Sequence, residues 1–494
     1  MVLNYCLFFH LMQKVFILIW LLGFPTVISV AQSQDPYGQT RLAYMDLRFQ
    51  DGNALLARHY PTESTENIGL SAFREFLTAL LWQSGNANTR FLLKAEYWGK
   101  RLNAMKVKSP ASLTACVELN IYRAVLTSQF YDFRESASAL MQAYRDLTKH
   151  RAEMGEVQWN RLSGIMGVLF CQVPDQAWKY LKLAGIRPDG LRGFDGLREY
   201  FSLASPGSAD QLEGYLLLIT AYKEFSTDPG AAWKFAEAQT DRFSMNPLVR
   251  YQNALAALKA GKNGQAINLL TPAAATVPPF PTWDYQLGRC YLHALDSRAA
   301  LYLERFLKNN GTETYLHAGY LRLGWHYWLN GDAESAGRCF AAIGSLPEAR
   351  SVYDKQAVRE IHEQPRPDGE LLKLRLLFDG GDFERCLTAC NSLERSGVLS
   401  VASIGELNYR RARSYQRLNR RDEAILAFES VISRKEDVKS YLLPNSALQI
   451  GYIYKEKGQK DLARKYFQLS LDLNNYGYRD GINRQAQTAM RELE

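Results

Sequence analysis

The sequence predicts an all-α protein, an array of helical hairpins stacked one on the next behind a more irregular helical first half. Three observations predict it. None of the 494 residues falls in a sustained alternation of apolar and polar side chains, the pattern of a half-buried strand. Apolar residues instead recur at helical spacing, interrupted by Gly, Pro and Asp turns. From about residue 246 onward, small, aromatic, small and aromatic positions recur in that order across pairs of helices. A content of 47% hydrophobic and 22% charged residues excludes wholesale disorder. Past residue 31 no run approaches the roughly 20 apolar residues that span a bilayer, which excludes a polytopic membrane protein.

Taken in chain order, residues 1–31 read as a signal peptide. Lys14 precedes an apolar core over 15–30, and Ser29 and Ala31 supply the small side chains of a cleavage site, so the cut is expected after Ala31. Met12 makes a shorter charged leader and reads as the true start. An uncleaved anchor helix is the other reading, and the run is short for a span. No Cys follows the cut to carry a lipid, so the mature chain is expected to be exported, periplasmic or secreted.

Residues 32–245 read as a divergent helical region. Helical spacing runs over 69–107, 112–149 and 156–185, with breakers at Ser109-Pro110, Pro174 and Pro188-Asp189-Gly190. A helix pair is expected over 210–243, turning at Pro229-Gly230. The run Gly164-Ile165-Met166-Gly167-Val168-Leu169-Phe170, followed by Gly185, Gly190, Gly193 and Gly196, is unusually rich in glycine for packed helices.

Residues 246–494 carry the repeats. The clearest copies are Leu323-Gly324, Tyr327, Gly331, Ala336, Phe340 and Ile450-Gly451, Tyr454, Gly458, Ala463, Phe467. Others are Ala412, Tyr415, Ala424, Phe428 and Leu287-Gly288, Tyr291, Ala300. Weaker ones surround Gly261 and Gly381-Asp382-Phe383. A small residue in the first helix admits a neighbouring helix, and a small residue in the second marks where the two cross. The aromatic one turn further on is expected to pack on the next repeat. The stretch from Pro347 to Asp368, with Pro365 and Pro367, reads as a long loop. The pattern resembles the tetratricopeptide repeat, which implies a right-handed superhelix of helical hairpins. Residues 110–494 are also similar to a divergent tetratricopeptide family that includes a yeast mitochondrial outer-membrane protein for inclusion clearance. That family likewise has a Gly-rich apolar hairpin ahead of the repeats and a segment like Tyr441-Leu442-Leu443-Pro444.

Signatures of chemistry are absent from the sequence. There is no phosphate-cradling Gly-x-x-x-x-Gly-Lys, no His-Glu-x-x-His and no Gly-x-Ser-x-Gly, and the histidines are scattered. No enzyme activity, cofactor or metal is expected. The mature chain keeps Cys116, Cys171, Cys290, Cys339, Cys386 and Cys390. Four lie singly in helical patterns, and Cys386 and Cys390 share one helix face. Their spacing suits buried, reduced side chains better than a disulfide framework or a metal site.

First helices of stacked repeats line the concave side. In this register the lining holds Tyr251, Gln252, Tyr285, Gln286, Arg289, His293, Arg322, Trp325, Trp328, Arg375, Tyr409, Arg410, Arg413, Arg417, Tyr452 and Lys455. Of these, Tyr285, Arg289, Arg322, Trp325, Trp328, Arg375, Arg410, Arg413, Arg417, Tyr452 and Lys455 are the candidate partner-binding residues. The charge is local: residues 401–494 carry 17 basic and 12 acidic residues in a chain of net charge +8. Arg410, Arg413 and Arg417 either form a solvated face of ordinary ion pairs or bind an anionic partner. An extended acidic or C-terminal peptide, or an anionic envelope polymer, fits such a groove. The expectation is an exported scaffold that binds a protein or peptide partner in cell-envelope assembly or maintenance. A glycan-binding or glycan-processing envelope protein is the alternative. Nucleic acid is excluded by export, and no integral span is expected after signal cleavage.

Overall fold

The computed structural model describes residues 35–493, apart from 106–108, 130–131, 171–181, 183–184, 188–189, 227, 240–242, 275–279, 309–311, 350, 398–400, 435–439 and 474–478. The signal-peptide reading of residues 1–31 and the Cys171 position lie outside the described residues. Within them the chain is all-helical, a solenoid of hairpins without strands. No described helix is long and apolar enough to cross a membrane.

Two compact units share the helices. The first comprises residues 1–289, 300–324 and 336–363, and the second 290–299, 325–335 and 364–494. The helices α1–α8 are Pro36–Met45, Phe49–His59, Thr65–Trp82, Gly85–Ala104, Pro110–Gln129, Phe133–Lys149, Glu156–Phe170 and Gly193–Leu203. Then come α9–α16 at Ala209–Phe225, Ala231–Glu237, Pro247–Lys259, Asn263–Ala274, Pro281–His293, Arg298–Lys308, Leu316–Leu329 and Ala333–Ile343. Finally α17–α24 are Val352–Glu363, Gly369–Asp379, Phe383–Ser396, Val401–Arg417, Arg421–Ile432, Leu442–Glu456, Lys460–Asp472 and Arg479–Arg491.

The first unit is held from within by a buried ionic cluster. Arg161 on α7 donates to Glu118 on α5 and, at 3.3 Å, to Glu213 on α9. Arg41 on α1 reaches Glu213 at 2.9 Å, and the Tyr200 hydroxyl on α8 donates to the same carboxylate at 2.7 Å. All five side chains are buried. Two cations and two anions therefore balance where no water can. Burial pushes the Glu118 carboxyl up to about 7, against the pull of Arg161 and Arg41.

Beside this cluster the glycine-rich run finds its use. A Cβ on Gly167 would stand 2.5 Å from the backbone nitrogen of Gly193, and one on Gly196 would stand 2.6 Å from the carbonyl oxygen of Asn160. Helices α7 and α8 thus approach backbone to backbone, which only glycine permits.

The first unit also ties residues far apart in sequence. Asn246 caps α11 and donates to the Met45 carbonyl at 3.2 Å and to Asp46 at 2.8 Å. Glu313 accepts from the Gly85 backbone at 2.8 Å, where α4 begins, while its own amide donates to the Gln83 carbonyl at 3.0 Å. The stretch 69–107 accordingly holds two helices, broken at Gln83 in a left-handed conformation and restarted by the Ser84 cap.

The loop expected over Pro347–Asp368 contains α17. Ser351 accepts from the Asp354 amide at 3.0 Å and starts the helix. Asp354 in turn accepts from the amides of Tyr315 and Ala318, at 2.9 and 3.1 Å, and so caps α15 from another helix. The tight cap outweighs the flanking prolines, which lie beyond the helix ends.

The repeat anchors pack within their own hairpins. A Cβ on Gly451 would meet the Phe467 ring at 2.5 Å, and Gly324 lies against Phe340 in the same way. The second aromatic therefore sits on the glycine of its own repeat, and it also shares a core with the helix that follows, Phe467 with Ile482 and Ala486 and Phe428 with Leu443 and Ile450. The contact within the hairpin forms because the glycine removes the one side chain that would hold the two helices apart.

Candidate functional site

The candidate site is built on α18 and α20 of the second unit. Asp368 caps α18 through the amides of Glu370 and Leu371, and Gly381 with φ 78° ends it. Asp382 then caps α19. These stops set α18 against α19 and α20, and they bring Phe378 and Phe383 under the basic face of α20.

On that face Arg410, Arg413 and Arg417 lie three and four residues apart, along one side of a helix. The Arg410 and Arg413 guanidiniums stand 6.0 and 5.7 Å from the centre of the Phe378 ring. Arg417 stands 5.1 Å from the Phe383 ring, and Arg375 of α18 stands 5.0 Å from the Trp325 ring. Trp328 is fixed by its indole N–H, which donates to the Pro367 carbonyl at 2.9 Å. Guanidiniums resting on ring faces have already lost much of their rotamer freedom, so less is lost when they grip an anion.

The charge along the stripe is uneven. Arg410 is buried and pairs with Glu406 at 3.3 Å, and Arg375 lies 3.7 Å from Asp379. Burial lowers the proton affinity of Arg410, and Glu406 and Asp379 more than restore it. At the other end Arg413 makes no ion pair among the described residues, and its Nε is buried without a hydrogen-bond partner. Burial and the neighbouring Arg413 lower the proton affinity of Arg417, which is exposed. One end of the stripe is neutralised and the other is cationic.

The remaining sequence candidates are distributed differently. Tyr452 is half-buried, with its ring 5.3 Å from Phe467, and Lys455 pairs with Glu492. Tyr285 in the first unit is fully buried, stacked on Tyr315 with ring centres 4.5 Å apart. Arg322 lies 5.4 Å from the Tyr285 ring and donates to the Ala318 carbonyl, while Arg289 is half-buried. Tyr251, Gln252 and Gln286 are buried as well, so this part of the lining is interior. Cys386 and Cys390 lie beneath the stripe, both fully buried with free thiols. Among the described residues no cluster of side chains suits a metal ion.

A groove that the sequence reading missed lies on another face of α20. It holds about 510 Å³ and is lined by Glu394, Ile404, Leu407, Arg411, Leu426 and Arg434, among others. Arg411 is clamped across it by Glu394 at 2.7 Å. The exposed Leu426 was the one available signal, an apolar residue off the packing register of its helix.

Residues 405–438 and 444–476 match the family model for the tetratricopeptide repeat. No curated protein matches the chain. Among solved structures, the chain is similar to the Cut9–Hcn1 hetero-tetramer of APC/C at 11% identity, with 93% of this chain and 89% of that chain covered and a TM-score of 0.27. It is also similar to the human IFIT1 dimer with PPP-AAAA, at 11% identity, 88% and 95% coverage and a TM-score of 0.29. Yeast Tom70 is similar at 14% identity, 82% and 95% coverage and a TM-score of 0.23.

Proposed function

We propose that the chain is an exported scaffold that binds a protein or peptide partner, of acidic character, along the arginine stripe of its C-terminal repeats, in cell-envelope assembly or maintenance. The tetratricopeptide match over α20–α23 supports the coarse reading, because stacked helical hairpins present long surfaces suited to protein partners. The observation that carries the finer reading is Arg413, a cation seated on Phe378 with a buried Nε that no described group satisfies. A buried donor left unmatched favours a ligand that supplies an acceptor. The leader at residues 1–31 supports export.

The test is a pull-down of the mature protein from envelope extract, followed by a titration of the captured partner. Arg413→Glu with Arg417→Glu is the variant of choice, because Arg410 is buried over Phe378 and paired with Glu406, so its loss would disturb the fold. Melting should shift little at Arg417, which is exposed and contributes about 0–1 kcal/mol, and by somewhat more at the half-buried Arg413. Affinity should fall at least about tenfold and weaken with salt in the wild type. Equal binding by wild type and variant would sink the stripe as the site.

A further inference from the structure

A second cationic constellation lies in the first unit, on α3 and α4, away from the repeats. Its hub is Glu75 of α3, whose side chain is 6% exposed. Three cations converge on this one carboxylate. Arg74 Nη2 lies 2.8 Å from Oε1, Lys94 Nζ 2.7 Å from the same oxygen, and Arg90 Nε 2.8 Å from Oε2. Burial pushes Glu75 up, but the hydrogen bonds from Lys94, Arg90 and Arg74 outweigh it and hold the carboxyl at about 2. One negative charge against three positive ones leaves the cluster at a net +2.

The donors are unevenly used. Arg74 spends its other nitrogen on Asn53, at 2.8 Å. Arg90 and Lys94 are 52% and 42% exposed and each gives Glu75 a single hydrogen bond, so each keeps further N–H donors beside the carboxylate they share. They sit one turn apart on α4, in positions fixed by a shared buried anchor. On the same stripe of α4 stand Leu93 and Tyr97, 67% and 53% exposed. Tyr97 is flanked by Arg101, 6.0 Å from its ring.

We propose that Arg90 and Lys94, positioned by Glu75, bind a phosphate-ester dianion carried on a protein partner, whose neighbouring apolar side chain packs on Leu93 and Tyr97. The charge selects the ligand, because a phosphate ester carries about −1.5 to −2 at neutral pH and neutralises the cluster, while a carboxylate leaves it half neutralised. The free donors are several and tethered to one carboxylate, which suits three phosphoryl oxygens. The two exposed apolar side chains have no use for an inorganic ion. An anionic membrane surface is opposed by Glu96, paired with Lys100 on the rim, and by Glu63, paired with Arg101. This site is independent of the stripe on α20.

Calorimetric titration of the full-length mature chain with phenyl phosphate, benzoate and inorganic phosphate tests the assignment. Phenyl phosphate is expected to bind at least about tenfold tighter than benzoate and tighter than inorganic phosphate, and to weaken as pH falls through the second phosphate pKa near 6. Arg90→Gln with Lys94→Gln removes two exposed side chains, should keep the fold by circular dichroism, and should lose the binding. Glu75→Gln is the discriminating variant. It adds a positive charge, so a mere electrostatic field would bind phenyl phosphate more tightly, whereas a positioned pair binds it at least about fivefold more weakly. The Arg413→Glu, Arg417→Glu variant should bind phenyl phosphate like wild type. Tighter binding by the Glu75 variant, unchanged binding by the Arg90, Lys94 variant, or no preference over benzoate overturns the proposal. Capture on phosphatidylglycerol vesicles that depends on Arg90 and Lys94, without phenyl phosphate binding, overturns it in favour of a membrane.

Discussion

Arg161→Met takes one guanidinium out of the buried cluster of the first unit while keeping most of its bulk. Breaking a buried pair by removing one partner generally costs about 3–5 kcal/mol, because a charge is left uncompensated. Here Glu213 keeps Arg41 at 2.9 Å and the Tyr200 hydroxyl at 2.7 Å, so Glu118 alone loses its direct partner. Glu118 can escape by taking a proton, since burial already holds its carboxyl at about 7. The expected loss is therefore at the low end, about 3 kcal/mol at pH 8, shrinking toward about 2 kcal/mol near pH 6 where the carboxyl is neutral. Replacing Glu118 with Gln in the same chain removes the orphaned charge and should return more than about 1 kcal/mol. Urea unfolding followed by far-ultraviolet circular dichroism measures all three. A loss below about 1 kcal/mol at pH 8, or strict additivity of the two substitutions, would refute the reasoning.

The same residue makes a pH prediction. Glu118 has a folded value of about 7 against an ordinary 4.5, so the native state holds this proton more tightly than the unfolded one. Its contribution to stability is full below about pH 4.5 and is lost as pH rises toward 7. Glu118→Gln has no such proton, and wild type should fall relative to it by about 3 kcal/mol across that window.

Other consequences are simpler to measure. Gly167→Ala should cost about 2–3 kcal/mol by calorimetry, because the added methyl meets backbone at Gly193 that cannot yield, while Gly190→Ala, with open space around it, should change stability little. Cys386→Ala and Cys390→Ala should each cost about 1–2 kcal/mol. The hydrogen bond to Cys386 and burial push the Cys390 thiol up, so alkylation should be slow in the native protein and complete in urea. Native labelling at the rate of a free thiol would contradict the burial.

The repeats were legible because their rules are local. Gly451 and Phe467 lie in one hairpin, and spacing alone brings them together. The same holds for Arg410, Arg413 and Arg417, which any helix places on one face. What lies beneath them was not legible, since Phe378 belongs to another helix and nothing in the sequence of α20 points to it. Tyr285 shows the opposite failure. Its position in the first helix of a repeat marks it as groove lining, yet Tyr315 from a later segment covers it. The ionic cluster and the Glu75 hub were beyond reach for one reason. Arg90 and Lys94 share a helix face, but the carboxylate they meet lies 15 and 19 residues earlier, and Arg161 meets Glu213 across 52 residues, so only the folded chain assembles them. Helix α1 was missed because part of its burial is supplied by α9 and the Asn246 turn, much later in the chain.

Repeat arrays ordinarily behave like beads on a string, each unit answering only to its neighbours, so that copies are gained and lost with little penalty. The hydrogen bonds joining Asn246 to Met45 and Glu313 to Gln83 and Gly85 break that rule in the first unit. Segments separated by 200 to 228 positions must meet before these contacts form, which delays the gain behind a loop-closure entropy. The first unit should therefore fold late and all at once, rather than by zipping from any one hairpin. Inserting or deleting a single hairpin between residues 46 and 246 would displace the far partner and leave both ends unmet. A segment locked in that way has little freedom to gain or lose a hairpin, in contrast to the last helices, which keep the repeat pattern.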